Sequence, residues 1–334
     1  MIKGLQSIQF DEAPYIQSGA AIVGKKEGEG PLAKMFDEIE QDPMFGKDSW
    51  EEAESEIQRR AAMKVISKSN LQKSDIRYLF SGDLLEQETA TSFGLMDLQI
   101  PLFGLYGACS TMGEAMSLGA MAVAGGFAEN VISMASSHFA SAEKQFRFPL
   151  EYGTQRVPSA QWTVTGCGAV IIGKKRSRVR ITGITTGKIV DMGVKDSMNM
   201  GACMAPAACD TLYQHMLDFD RTPEDYDRIV TGDLGYVGRD ILIELMKRKG
   251  FDITQNHSDC GIKIFDKDAQ DTHAGGSGCG CSASVLCAYY LDELEKGNMR
   301  RILFMPTGAL LSKVSFNEGR TVPGIAHAVV LEHC

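Results

Sequence analysis

The sequence predicts an α/β protein made of two duplicated halves, and three observations carry that prediction. The first is internal repetition. Residues 76–84 (IRYLFSGDL) have a counterpart in 227–234 (DRIVTGDL), 130–134 (NVISM) in 301–305 (RILFM), 107–116 in 278–287, and 168–172 (GAVII) in 327–331 (HAVVL). Four pairs in the same order mark a repeated unit rather than chance. The second is the pattern within each half, where short apolar runs of strand length alternate with helical stretches, as in mostly parallel sheets. The third is residues 110–124, small or apolar throughout with Glu114 the sole charge. A helix apolar all round belongs inside a protein, here in a middle layer between two sheets. The division falls near Lys174-Lys175-Arg176, giving halves 1–174 and 175–334, the first of which carries Cys109.

Each element follows from its own residues. Residues 1–14 form a short strand or arm, and residues 15–23 (YIQSGAAIV) a strand. Residues 30–39 and 50–69 are helical, the second with Ala53, Ile57, Ala61, Met63 and Val65 on one face. Residues 76–80 form a buried strand and 89–96 a helix. Residues 100–105 run into a Gly-bounded turn with Cys109 at its tip, and Gly125-Gly126 closes the apolar helix behind it. Residues 130–135 form a buried strand that ends at Ser136-Ser137-His138. A polar loop with Lys144, Gln145, Arg147 and Phe148 follows, then a strand pair or bulged strand over 162–172.

Composition narrows the function. A chain of 334 residues with 44% hydrophobic content supports a large core. Its net charge of −9 disfavours nucleic acid as a partner. Nine acids against Lys47 alone between Asp37 and Glu56 read as a solvated helical surface. Charges interrupt every apolar run, so neither a membrane span nor a secretion signal is expected. Nine cysteines then imply free thiols in a reducing compartment; Cys167, Cys203, Cys209 and Cys287 read as small core residues. The Gly-rich stretches match neither a phosphate-binding loop nor a dinucleotide fingerprint. The spacing of Cys279, Cys281, Cys260, His257 and His273 argues against zinc.

The chemistry centres on Cys109. A thiol at the N-terminus of a buried helix meets the positive end of the helix dipole and free N–H groups, which favour a thiolate or a bound anion.

This constellation resembles the thiolase-like superfamily, nearest the ketoacyl-synthase III enzymes. That implies a five-layer αβαβα sandwich and a homodimer. More closely, the chain resembles the stage V sporulation protein AD family. GLYGACST (104–111), SSH with AEKQFRFP (136–138 and 142–149), QWTVTG (161–166), TGDLGYVGRDIL (231–242) and AGGSGCGCSAS (274–284) carry the resemblance. Condensing enzymes of the superfamily pair their Cys with a second-half His and with Asn or a second His. Here residues 231–234 read TGDL, and GCG (278–280) stands where Asn is usual. A carboxylate such as Asp233 beside Cys109 disfavours the thiolate. The resemblance therefore implies a non-catalytic protein that binds dipicolinic acid (pyridine-2,6-dicarboxylate) or its calcium chelate for uptake into the developing spore. It would work with membrane proteins of its operon, peripherally at the spore inner membrane, with no cofactor beyond calcium brought by the ligand. The alternative is an acyl-thioester condensing enzyme with Cys109 as nucleophile. A third possibility is an interaction subunit with a vestigial pocket.

On that resemblance the ligand-binding candidates are Cys109, His138, Lys144, Trp162, Asp233, Cys279, Thr307 and Gly308. Cys109 would floor the pocket. His138 and Lys144, with Arg147, would supply donors and cations to a dicarboxylate, or simply belong to a polar loop. Trp162 would wall a pyridine ring or sit in the core. Asp233 would orient His138, accept from a ligand water or hold calcium; like its twin Asp83, it equally suits a helix cap. The Gly-Cys-Gly at Cys279 would let backbone approach the pocket. Thr307-Gly308 would offer backbone N–H groups to an anion.

Overall fold

The computed structural model describes residues 1–146 and 155–334, the side chain of Phe146 excepted. In the first half five strands form a sheet: β1 (Tyr15–Val23), β2 (Tyr78–Gly82), β3 (Leu102–Gly104), β4 (Asn130–Ser137) and β5 (Gly166–Gly173). Their spatial order is β1-β5-β4-β2-β3. The second half has β6 (Val179–Thr185), β7 (Arg228–Thr231), β8 (His257–Asp259), β9 (Arg301–Met305) and β10 (Ala328–His333), in the order β6-β10-β9-β7-β8. The two orders are the same when each half is counted from its own first strand. Pairing senses repeat as well. The first two contacts in each sheet are antiparallel and the last two parallel. The sheets meet edge to edge where Tyr15 pairs with Arg180.

Helices fill the spaces that the apolar patterns require. α1 (Trp50–Ser69) starts on Ser49, whose hydroxyl accepts from Glu52 N–H at 3.3 Å, and stops at Asn70 in the left-handed conformation. Its Ala53, Ile57 and Val65 pack on Ile132, Met134 and Ile171 at the outer face of the first sheet, beside α2 (Thr89–Leu95). α5 (Met200–Phe219) and α6 (Gly235–Arg248) cover the second sheet. Between the sheets lie α3 (Thr111–Ala124) and α7 (Cys279–Val285). Met112, Met116, Cys281 and Val285 there join Val131, Ala135, Phe304 and Val329 in one core. Strand β4 shows why both spaces fill: Val131 and Ala135 face inward while Ile132 and Met134 face outward, as the period of two demands.

Three expectations need correction. Residues 30–39 are not a helix; a single 3₁₀ turn (Ala33–Met35) leads to a short strand (Glu38–Ile39) paired with β1. Lys144 and Gln145 lie on a helix, α4 (Phe139–Phe146), not in a loop, and Arg147 and Phe148 fall outside the described residues. The acidic run is not simply solvated. Arg60 bridges Glu38, Glu40 and Glu56, and Glu54 is fully buried.

The inner helices approach the sheets closely because glycine permits it. A Cβ on Gly168 of β5 would lie 2.1 Å from the Ala283 carbonyl oxygen of α7. Neither backbone can yield without moving a layer. Gly168→Ala should therefore lower the unfolding free energy by about 1–3 kcal/mol, the usual range for overpacking. Denaturant titration checks this, and an unchanged midpoint would show that the layers slide freely.

Candidate functional site

The strands of each parallel segment deliver their C-terminal ends to one side, where β2, β4, β7 and β9 run into residues 83, 138, 232 and 306. Open α/β sheets place their sites at such ends. Cys109 sits there, in the turn between β3 and α3, and is 5% exposed. Ser110 Oγ donates to the Gly107 carbonyl at 2.7 Å and Thr111 Oγ1 to the Ala108 carbonyl at 2.7 Å. Those bonds hold Ala108 at φ +49°, a left-handed conformation that L-residues seldom adopt. Gly308 presses on the same turn, since a Cβ there would stand 2.3 Å from the Gly107 oxygen.

The Cys109 thiol lies close enough to the Asp233 carboxyl for each to shift the other's titration. Asp233 also accepts from Ser277 Oγ (3.0 Å), Gly278 N–H (3.1 Å) and Thr307 Oγ1 (2.9 Å). Burial, and then the Asp233 charge, push the thiol well above its ordinary range. Burial first, with Asp259 adding to it, pushes Asp233 up to about 7. A neutral thiol beside a carboxyl group is thus the resting state near neutral pH.

The twin aspartates have diverged. Asp83 accepts from Leu85 N–H, Thr91 N–H and Thr91 Oγ1 at 2.6–2.8 Å, so it satisfies the first turn of α2. Asp233 does not cap α6; it accepts instead from Ser277, Thr307 and Gly278 at the start of α7. Asp259, at the end of β8, takes that duty for α6 by accepting from Leu234 and Gly235 N–H at 2.9 and 3.1 Å. Asp233 is left free for Cys109.

A cavity of about 40 Å³ opens onto Cys109. Among the residues lining it are Tyr106, Glu143, Gln161, Thr163, Ser277 and Leu311. Sequence reasoning missed all six. The strand Trp162–Thr163 pairs in parallel with Gly276–Ser277, and alternation explains the error. Gln161 and Thr163 face the cavity, while Trp162 between them turns away and stacks on Phe139 at 4.0 Å, with Lys26 and Arg156 over its ring. Glu143 is buried, accepts from Thr163 Oγ1 at 2.8 Å, and directly precedes Lys144.

Other candidates also sit apart from the cavity. His138 is buried against Trp50 and Phe45, its Nε2 on the Pro43 carbonyl at 2.8 Å and its Nδ1 accepting from Ala140 N–H, and burial lowers its pKa. It is a packed structural histidine, and Asp233 does not orient it. Lys144 pairs with Glu51. Cys279 adjoins Cys109 but points its thiol to the Ser136 carbonyl at 2.8 Å. Thr307 reaches the site through its hydroxyl rather than its backbone. The backbone of Thr307–Ala309 pairs antiparallel with Gly324–Ala326, a ladder that takes up the N–H of alternate residues. Among the described residues no histidine lines the cavity. His257 bonds Thr231 Oγ1 at 3.0 Å and His273 the Val157 carbonyl at 2.9 Å, so neither turns inward.

Residues 4–332 match the model of the family described as stage V sporulation protein AD. A stage V sporulation protein AD of Bacillus subtilis (strain 168) is 41% identical over 331 residues, covering 99% of this chain and 98% of that protein. The chain belongs to the stage V sporulation protein AD family. Among solved structures, 3-oxoacyl-[acyl-carrier-protein] synthase III from Aquifex aeolicus VF5 aligns with a TM-score of 0.57 at 13% identity, over 96% of this chain and 100% of that one. Cerulenin-bound OleA from Xanthomonas campestri aligns with a TM-score of 0.58 at 17% identity, over 96% and 98%. The family member therefore has a thiolase-like fold, and its five layers are those of the condensing enzymes. No helix among the described residues is long and apolar enough to cross a membrane.

Removing the Asp233 charge tests the electrostatics. Asp233→Asn should lower the Cys109 thiol pKa, because a negative neighbour that disfavours the thiolate is gone. The pH profile of Cys109 alkylation, followed by mass spectrometry of its peptide, should shift to lower pH. A shift upward would mean that the carboxyl activates the thiol.

Proposed function

We propose that the chain is a non-catalytic binding protein for dipicolinic acid, which it holds in the remnant of a condensing-enzyme pocket during uptake into the developing spore. The observation that carries this reading is the carboxyl group on the Cys109 thiol. Acyl transfer from a thioester needs a thiolate and donors for the developing oxyanion. Asp233 opposes the first, and it accepts from the Gly278 N–H beside Cys109. Membership of a sporulation family supports this reading, as does a cavity lining without histidine among the described residues.

The lining favours the calcium chelate over the free dianion. Glu143 faces the cavity, Asp233 lies behind Cys109 and Ser277, and no Lys, Arg or His is among the lining residues described. A dicarboxylate stripped of its cation would meet like charge there, whereas a chelated calcium ion would meet oxygen ligands of the type it prefers. At about 40 Å³ the cavity is far below the roughly 300 Å³ at which ligand pockets begin, so binding moves part of its wall.

Calorimetric titration with dipicolinate, with and without calcium, should show saturable binding that is tighter with calcium and weakened in Cys109→Ala. Glu143→Gln should narrow the difference between the two titrations. Absence of binding, together with an acyl adduct on Cys109 after incubation with acyl-CoA, would replace this reading by the condensing-enzyme one.

We further propose a homodimer that acts peripherally at the spore inner membrane with membrane proteins of its operon. Strand β3 is the edge of the first sheet, and Phe103, Phe93 and Met96 are 52%, 66% and 56% exposed beside it. An unpaired apolar edge is a template for a second copy. In spore fractionation the chain should sediment with the inner membrane and, once released, run as a dimer that Phe103→Glu makes monomeric. A monomer recovered in the soluble fraction would sink both statements.

A further inference from the structure

We infer that the basic groove outside the Cys109 cavity is an anion-binding subsite, and that Leu311 is the gate between the two. Leu311 is 6% exposed and is the one residue common to three spaces: the inner cavity of about 40 Å³, a groove of about 370 Å³ and a groove of about 470 Å³. It shares the partition with Ser197 on the side of the larger groove and with Leu84 and Tyr106 on the side of the smaller one. The segment that carries it leaves the Thr307–Ala309 ladder, whose Thr307 hydroxyl bonds Asp233, so the gate is tied to the thiol-bearing wall by four residues of chain.

The two outer grooves differ in charge. The smaller is lined by Glu86 and Glu88 as well as Lys313. The larger is lined by Lys144, Gln145, Lys313, Phe316 and Asn317, with no carboxylate among its lining residues described. Lys144 spends part of its charge on Glu51, whereas Lys313 makes no ion pair among the described residues. Two ammonium groups, two amides and a half-exposed phenyl ring suit a small aromatic or aliphatic carboxylate or sulfonate. Like charge at Glu86 and Glu88 turns such an anion away from the other groove. An anion is thus captured at Lys313 and Lys144, and reaches Cys109 only when Leu311 swings aside. Outer capture by cations and inner reception by acceptors are separate steps with opposite electrostatics. A chelate's anionic rim and its cation can satisfy them in turn.

This inference rests on the reading that the Cys109 cavity receives a ligand, but its test needs no particular ligand. Two methanethiosulfonate reagents of similar size probe access, one bearing a sulfonatoethyl group and one a trimethylammonioethyl group. In each, the Cys109 sulfur bonds to the reagent's thiol-derived sulfur, methanesulfinate leaves, and the thiol proton passes to solvent. Mass mapping of the Cys109 peptide separates its labelling from that of the exposed Cys334. A gated site is open only a small fraction of the time, so Leu311→Ala should speed Cys109 labelling by both reagents on the order of tenfold. Lys313→Glu should slow the anionic reagent relative to the cationic one by about threefold or more. Leu311→Val reads the same direction if the alanine variant does not fold. Unchanged labelling in the Leu311 variants overturns the gate, and an equal effect of Lys313→Glu on both reagents overturns the anion subsite. Charge-selective, gated access without dipicolinate binding would remove the ligand assignment alone. Dipicolinate binding with ungated access would remove this inference alone.

Discussion

The contact between Cys109 and Asp233 is what the rest of the site is arranged around. Each half contributes one partner. The thiol comes from the turn that enters the inner helix of the first half, the carboxyl from the end of a parallel strand in the second. Two buried acids of this kind stand each other best when one proton serves both, and the hydroxyls of Ser277 and Thr307 complete the carboxyl's coordination. The glycines at 107 and 308 then make sense as points of backbone contact that bring the halves within bonding distance.

Duplication supplied two aspartates at matched positions, and the structure shows what freed one of them. Asp83 remains occupied by the N–H groups of α2. On the other side Asp259, delivered by β8, satisfies the start of α6 and leaves Asp233 without that duty. Helix N-termini must be satisfied by something. Release of a buried carboxyl for a new role therefore depends on a replacement cap, and the change at the site is inseparable from a change in the scaffold.

Much of this was legible in the sequence because it depends on periodicity. The strand at 15–23, the helix at 50–69, the repeat and the all-apolar inner helix follow from spacing alone, and residues 76–84 and 227–234 already contain both aspartates. The proximity of Asp233 to Cys109 was legible as chemistry, from the absent histidine. What failed is contact that alternation or tertiary bonding decides. Trp162 drew attention as an aromatic, yet its neighbours Gln161 and Thr163 face the cavity. His138 ended the right strand, but its ring found the Pro43 carbonyl, Phe45 and Trp50 at the start of α1, all far away in sequence. Glu143 and Leu311 carry no local signal, since an acid beside a lysine and a leucine after a turn occur anywhere. Treating 139–146 as a loop hid the helical geometry that turns Glu143 inward and leaves Lys144 at the rim.

Charge sorting around Leu311 links these failures to function. A pocket meant to hold a free dianion would carry its cations inside, where low dielectric makes them most effective. Here the lysines stand outside, and the carboxyl groups of Glu143 and Asp233 stand within or just behind the wall. Such an order costs a bare anion more at each step inward, while a neutral chelate loses little, because its metal faces oxygen as its organic part leaves the lysines. On the proposed reading, selection between a chelate and its free acid would rest on where the charges lie along the path, with Leu311 at the point where that distinction is made.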